Sequence, residues 1–317
     1  MALLNYTLKQ LRYVEAAGRL GSITKAATEL SISQSSITAA IDAVEGGLGY
    51  DLFIRTPARG ILPTPQGAEA LTMIRVFIQQ SRHFEAEMIA VAGGLSGSVR
   101  VACYATAAPA VLPPILSGVS GNFPDMSFSI LEGSIERVME YLDKGEADLA
   151  FSYSAYIEPR HAFEPLFDAP PFAIVPRKDP LAGRSIVSLA DIAERPLIML
   201  DLPGARDYFA GLFSSAGLTP RIAHSTRSSE ILRALVGIGF GVSLLNIRPL
   251  GYHETDSDYA IVPIKDAIPP PTFGIVTIKG LEQPKVVKAF VDSCIEMKKR
   301  RAFDLLVSNT SHTSTME

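Results

Sequence analysis

At 317 residues the chain is long for one packed core, so two or three are expected. Apolar residues at 47% and charged residues at 20% exclude a disordered chain, and no run of about 18 uncharged apolar residues marks a membrane span. The net charge of −4, taken alone, argues against a nucleic-acid-binding chain.

The first residues lack a basic segment followed by an apolar stretch and a small-residue cleavage site, so no secretory signal is expected. Leu8, Leu11, Val14 and Ala17 recur at helical spacing, predicting a helix over 7–17 that breaks at Gly18 to Gly21. Ser22 is placed to cap a second helix with Ile23, Ala26, Ala27 and Leu30 on its buried face. A tight turn at Ser31-Ile32 follows, and Ser33 can cap a third helix carrying Ile37, Ile41, Val44 and Leu48. Residues 51–64, punctuated by Pro57, Gly60 and Pro63, suit a two-stranded wing. Residues 66–92 lack proline, and Phe77, Phe84 and Val91 repeat every seven residues, with Met73 and Met88 beside that row. Such a seam pairs helices, or packs onto the chain's own domain. Gly93-Gly94-Leu95-Ser96-Gly97-Ser98 reads as a flexible joint.

Beyond the joint, strands and helices alternate. Strands are predicted at 98–103, 127–131 and 148–152, with helices at 107–116 and 135–144. A second set comprises strands at 172–176, 197–200, 241–245, 260–264 and 272–278, and helices at 205–215, 230–236 and 284–299. This is the pattern of parallel open sheets in two α/β lobes with a cleft between them. Lobe I is expected at about 98–168 and 263–300 and lobe II at about 169–262. The Ser/Thr-rich tail, 308–317, is expected to be disordered.

Two helices cross closely only where a small residue lies between them. Ala27 supplies it, with Leu30, Ile32, Ile37 and Ala40 at offsets that hold the pair. The first 92 residues carry eight basic and eight acidic side chains, yet Lys25, Arg55 and Arg59 fall in the crossed pair and wing, whereas Glu69, Glu85 and Glu87 lie on the following helix. The stretches Leu8-Lys9-Gln10-Leu11-Arg12-Tyr13, Gly21-Ser22-Ile23-Thr24-Lys25-Ala26-Ala27 and Leu30-Ser31-Ile32-Ser33-Gln34-Ser35-Ser36-Ile37-Thr38 closely resemble the LysR family. Val44-Glu45, Leu48-Gly49, Leu52-Phe53-Ile54-Arg55, Arg59-Gly60 and Thr64-Pro65-Gln66-Gly67 extend the match in register over about sixty residues.

That resemblance implies a multidomain protein. A winged helix-turn-helix at 1–65 binds DNA, a dimerisation helix spans 66–92, and a two-lobed effector-binding domain like those of periplasmic binding proteins occupies 93–307. It implies a non-enzymatic, cytoplasmic, ligand-responsive transcription regulator, dimeric through the linker helix and assembling to a tetramer. Its partners would be promoter DNA, a small-molecule effector and RNA polymerase, with no cofactor and no membrane. Ser33, Gln34, Ser35, Ser36 and Thr38 would face the major groove, while Thr24, Lys25, Arg55 and Arg59 would contact phosphates. The family usually has Pro where Ser35 stands, an Arg-containing pair at Ala39-Ala40, and Leu at Pro63, which alters the expected base contacts but not the fold.

Ligands of two-lobed folds sit beyond the carboxyl ends of the strands, where helix N-termini favour anions. The loops around Tyr104 and Thr106, Ser134, Asp201 and Arg206, and Ser225 and Thr226 meet that description. Thr106, Ser134 and Thr226 are the contacts the family implies, with a carboxylate-bearing aromatic or aliphatic metabolite as effector. Arg206 is a candidate carboxylate partner from its chemistry. Gly237-Ile238-Gly239-Phe240-Gly241 follows a helix and precedes a strand, the reverse of a dinucleotide site. Cys103 and Cys294 are too few for a disulfide framework and lack metal-ligand spacing. The five histidines likewise show no metal-ligand spacing, and no hydrolase elbow or P-loop occurs. Cys103 reads as a buried inert thiol, with a redox sensor as the alternative. The basic run at Lys298 to Arg301 reads as a solvated helix end.

Overall fold

The computed structural model describes residues 6–56, 60–91, 96–253, 255 and 257–308. Arg59, most of the joint after the linker helix, and the tail beyond Ser308 lie outside the described residues. The chain forms two compact units, Met1–Gly94 with Lys144–Glu146, and Leu95–Asp143 with Ala147–Glu317.

In the first unit, helix α1 (Leu8–Leu20) starts from a reciprocal cap. The Gln10 amide donates to the Thr7 hydroxyl at 3.2 Å, and the Thr7 amide donates to the Gln10 side chain at 2.7 Å. The helix does not break at Gly18 but runs on to a left-handed cap at Gly21. Gly18 serves packing instead: a Cβ there would lie 2.7 Å from the Leu71 side chain. Helix α2 (Ile23–Glu29) and helix α3 (Gln34–Leu48) follow, capped by Ser22 and Ser33. The turn between them closes with Ile32 N–H donating to Ala27 O at 2.9 Å. Ala26, Ala27, Ile37, Ile41 and Val44 are buried together, so the small residues sit where the helices cross.

Strands β1 (Phe53–Thr56) and β2 (Gly60–Pro63) pair antiparallel as the wing, with Ile54 opposite Leu62. Pro63 sits at the end of the ladder, where its missing N–H is tolerated. Glu45 of α3 accepts from the backbone amides of Leu52 at 2.7 Å and Phe53 at 3.1 Å, which fixes the wing against α3. Helix α4 (Pro65–Val91) buries Leu71, Ile74 and Ile78 in the core of this unit. Its Met73, Phe77, Phe84 and Met88 are exposed, at 73%, 44%, 67% and 61%.

The second unit begins with β3 (Gly97–Tyr104), α5 (Ala108–Asn122), β4 (Met126–Gly133), α6 (Ile135–Asp143), β5 (Leu149–Tyr153) and β6 (His161–Asp168). It continues through β7 (Phe172–Pro176), α7 (Leu189–Ala193), β8 (Leu197–Leu200), α8 (Ala205–Ser215), β9 (Ile222–Thr226) and α9 (Ser229–Gly237). β10 (Ser243–Leu245), β11 (Tyr259–Pro263), β12 (Thr272–Ile278) and α10 (Lys285–Lys299) complete it.

The first lobe's sheet has the order β4-β3-β5-β12-β6, parallel where β3 meets β4 and β5, antiparallel where β12 meets β5 and β6. It is therefore mixed, not the parallel sheet the pattern suggested. The reason is connectivity: β12 returns from the other lobe without a crossover helix and enters from the hinge end. In the second lobe β10-β7-β11 pair antiparallel and β8-β9 parallel. Ser243 Oγ ties β10 to β8 by donating to Ile198 O at 2.6 Å. The crossings between lobes run side by side, with Ala169 N–H donating to Pro271 O at 2.9 Å. α10 closes the first lobe: the Phe290 ring meets Phe151 at 6.3 Å, and Phe151 stacks on Phe273 at 6.4 Å. Each such buried ring stabilises the lobe by roughly 1.5–3 kcal/mol.

Candidate functional site

On the first unit, the start of α3 carries the sequence-predicted groove residues. Gln34, Ser35 and Ser36 are exposed and Thr38 is half-buried. The Ser33 hydroxyl accepts from the Ser36 amide at 3.2 Å and lies 2.8 Å from the hydroxyls of both Ser35 and Ser36. These serines first serve the helix cap, and Gln34 is left as the longest polar side chain of the turn. Thr38 Oγ1 donates to Gln34 O at 3.1 Å, so its hydroxyl is spent on the helix. Ala39 is exposed, whereas Ala40 is buried at 2%. Of the pair Ala39-Ala40, the outward member, Ala39, thus presents only a methyl group.

Thr24 and Lys25 are exposed on α2, and Lys25 has no ion pair among the described residues. Arg55 on the wing is in an ion pair with Asp42 of α3, with Glu45 a further 3.9 Å contact. Its charge is therefore shared inside the module in this conformation. Arg59 lies outside the described residues.

On the second unit, a cleft of about 640 Å³, mouth included, opens between the two lobes. Tyr104 and Thr106 from the end of β3 line it, as the sequence suggested, together with Ile135 at the start of α6. Gly204 just before α8, Ala205, Tyr208 and Phe209 of α8, and Ser229 and Arg233 of α9 face them from the second lobe. Tyr153 forms part of the floor, where its hydroxyl donates to Asn246 Oδ1 at 3.1 Å and so links the lobes. Helices α5 and α8 both begin without a side-chain cap, and their first turns bond to backbone instead, Ala205 N–H donating to Pro203 O at 2.9 Å, Arg206 N–H to Leu202 O at 3.0 Å and Ala110 N–H to Ala107 O at 3.0 Å.

The remaining effector candidates lie outside this lining. Ser134 accepts from the Arg137 amide at 3.3 Å in the first turn of α6. Asp201 and Arg206 pair with each other at 2.9 Å. Ser225 is exposed on β9, and Thr226 accepts from the Ser228 amide at 3.2 Å. Sequence reasoning passed over Tyr153, Tyr156, Tyr208, Ser229, Arg233 and Asn246. One signal was available: Ser229 and Arg233 stand four residues apart, hence on one face of a helix.

Burial pushes the Tyr208 phenol up to about 12, and no other group offsets it. Burial also pushes Tyr104 up to about 12; the neighbouring Thr106 side chain counters part of that without making a hydrogen bond of ordinary geometry. The Tyr104 and Tyr208 hydroxyls are both buried with no hydrogen-bond partner among the described residues. Arg233, 16% exposed at its side chain, is the one charged group among the described lining residues, and its Glu230 contact is long, 3.8 Å. Cys103 and Cys294 are both buried thiols, each pushed up by burial, Cys294 to about 12. No cluster of His, Cys, Asp and Glu suited to a metal ion occurs among the described residues, and no helix there is long and apolar enough to cross a membrane.

Comparison with known proteins agrees with both halves. Residues 8–68 match the bacterial regulatory helix-turn-helix proteins of the lysR family, and residues 92–299 match the LysR substrate binding domain. HinK, a LysR family transcriptional regulator from Pseudomonas aeruginosa, is 32% identical, with a TM-score of 0.60 over 92% of this chain and 99% of that one. The HTH-type transcriptional regulator CysB of Burkholderia cenocepacia is 28% identical over 300 residues, 92% of each protein. A hydrogen-peroxide-bound mutant of Corynebacterium glutamicum OxyR is 26% identical with a TM-score of 0.60, covering 94% of each chain. The chain belongs to the LysR family of transcriptional regulators: a DNA-binding helix-turn-helix unit joined to an effector-binding domain, and not an enzyme.

Proposed function

We propose that the chain is a cytoplasmic, ligand-responsive regulator that reads promoter DNA with the first turns of α3 and senses a small carboxylate-bearing metabolite in the cleft of its second unit. The observation that carries the DNA half is the outward polar turn of α3 at Gln34, on a helix pair whose opposite face is fully packed. Gln34 pairs bidentately with adenine, and the Ser35 and Ser36 hydroxyls contact bases or phosphate. Lys25 and Thr24, with Arg59 and a released Arg55, hold phosphates.

The module spans 1–65, the linker helix 66–92 and the effector domain 93–307. Two copies pair through the exposed row of Met73, Phe77, Phe84 and Met88, since an apolar row of this length is costly to leave in water. Contacts between effector domains extend the dimer to a tetramer, and RNA polymerase is the downstream partner. Several modules acting together offset the weak net charge of each.

The cleft takes an anion because Arg233 lines it and no carboxylate stands among the described lining residues. Ligand contact with both lobes shifts their closure and the spacing of the DNA modules, for which a differential affinity on the order of 1–3 kcal/mol is enough. A thiol-based peroxide response is disfavoured, because Cys103 and Cys294 are buried and held as thiols. Gel-shift titration of the full chain on DNA flanking its own gene tests the proposal. A sequence-preferring, salt-sensitive complex supports it, and equal binding to unrelated DNA overturns it.

A further inference from the structure

Pro203, Gly204 and Ala205 form a γ-turn immediately before α8. Gly204 has φ 76° and ψ −52°, and Ala205 N–H donates across it to Pro203 O at 2.9 Å. Residues with a Cβ are strained in this rare turn, and such backbone persists only where the surrounding structure requires it. The requirement is visible on the other side of the cleft. A Cβ on Gly204 would lie 2.5 Å from the Tyr156 hydroxyl oxygen, 3.1 Å from Tyr156 Cζ and 3.3 Å from Ile135 Cδ1. Both neighbours belong to the first lobe, Tyr156 on the short turn Ser154–Tyr156 after β5 and Ile135 at the start of α6. The bare Cα of Gly204, in the second lobe, is therefore a seat on which the first lobe rests.

The seat lies at the rim of the cleft. Tyr156 is half-buried and follows exposed Ser154 and Ala155, so it meets solvent on one side and lines the cleft on the other, while Gly204 is buried beneath it. At the floor the lobes are joined differently, by the Tyr153 hydroxyl donating to Asn246 Oδ1 at 3.1 Å. No hydrogen bond joins Tyr156 to Gly204 among the described residues, so the rim contact depends on shape and parts without breaking one. The lobes are thus tied at the floor and only stacked at the rim.

We propose that the rim contact is the latch of the sensing domain. With Tyr156 and Ile135 seated on Gly204 the lobes are closed, and lifting them off is the movement by which the state of the cleft reaches the DNA-reading unit. This rests on the cleft being the sensing site and adds the point at which its closure is controlled. Glycine is required there twice over, for the turn and for the seat.

Double electron–electron resonance on the full chain reads the distance between the lobes, with spin labels at Glu140→Cys in α6 and Ser214→Cys in α8 and with unlabelled chain added in excess. Both positions are exposed, and Cys103 and Cys294 are buried, which keeps the label on the introduced thiols. A Cβ at 2.5 Å must withdraw by about 1 Å to reach ordinary contact, so Gly204→Ala should lengthen the label distance by on the order of 1–3 Å. Tyr156→Ala removes the obstacle, so adding Gly204→Ala to it should change the distance no further. On promoter DNA without added metabolite, Gly204→Ala should give a footprint different from that of wild type. Tyr156→Ala leaves the turn untouched and should by itself broaden the distance distribution, which reads the latch even where Gly204→Ala fails the thermal-melting check of folding.

An unchanged distance in Gly204→Ala, or a distribution as narrow as wild type in Tyr156→Ala, overturns the proposal. Equal lengthening by Gly204→Ala with and without Tyr156→Ala also overturns it, because the effect would then lie in the turn's own backbone. Parted lobes with a wild-type footprint overturn it too, since the latch would not reach the DNA. A thermal-shift panel of aliphatic and aromatic carboxylates on the wild-type chain tests the sensing role separately. A hit with an unmoved latch leaves the cleft a sensor and removes the latch; parted lobes and an altered footprint with no hit uphold the latch and remove the carboxylate.

Discussion

Gly67 and Gly46 both sit in helices of the DNA-reading unit, and alanine at each is expected to have opposite effects. An ideal Cβ on Gly67 would lie 2.0 Å from the Leu52 carbonyl oxygen, 2.8 Å from its carbon and 2.9 Å from Thr64 Oγ1. Ordinary contact needs about 3.5 Å, so α4 and the segment leading into the wing must part by more than an ångström. That movement strains Thr64 N–H to Leu52 O, 3.0 Å, and Gly67 N–H to Thr64 Oγ1, 2.9 Å. Overpacking costs roughly 1–3 kcal/mol, a lost hydrogen bond adds about 1, and alanine's helix propensity returns about 1. Gly67→Ala should therefore destabilise by about 2 kcal/mol. Gly46 in α3 has nothing within 4 Å of its would-be Cβ, so Gly46→Ala should stabilise by about 0.5–1 kcal/mol. Urea unfolding of the full chain, followed by helical circular dichroism, reads both. A Gly67→Ala variant as stable as wild type would refute the close approach of α4 to the wing.

Ser188 and Asp191 form a reciprocal cap on α7, with Asp191 lowered to about 2 by the Ser188 hydroxyl and amide. A folded-state acidity below the unfolded value of about 3.9 stabilises above that pH and fades as pH falls toward 2. Ser188→Ala should thus cost about 1 kcal/mol at pH 7 and progressively less through that window, as melts across pH would show. Lys25→Gln should lower the salt slope of DNA binding by about one per copy, whereas Arg55→Gln should lower it less, because Asp42 already neutralises Arg55. Equal effects of the two in salt titrations would contradict the Arg55 pairing. Phe84→Glu places a charge in the exposed row of α4 and should shift the sedimentation of the chain toward monomer. An unchanged sedimentation coefficient would remove that row from the dimer interface.

The crossed helices were legible because small-residue spacing and capping serines are local rules, and Ala27, Ser22 and Ser33 obey them. Gly18 misled because a glycine for close packing looks the same in sequence as a glycine that ends a helix. β6 went unpredicted: His161, Glu164, Pro165 and Asp168 give it the polarity of a loop, and only its partner β12 makes it a strand. β9 is exposed along its length and carries no buried face to announce it. The cleft was half legible. Loops at strand ends pointed to Tyr104 and Thr106, but Tyr208 and Arg233 reach it from within helices, and only the folding of one lobe onto the other reveals that.

The claim on which the rest depends is that the outward turn of α3 reads bases. The most direct measurement compares wild type and Gln34→Ala on a site selected from random DNA, with each base pair replaced in turn. Wild type should discriminate against replacing an A·T pair by about 1–3 kcal/mol, and Gln34→Ala should lose that discrimination at one position while keeping its salt slope. If Gln34→Ala keeps the full pattern of wild-type preferences, that turn does not read the DNA.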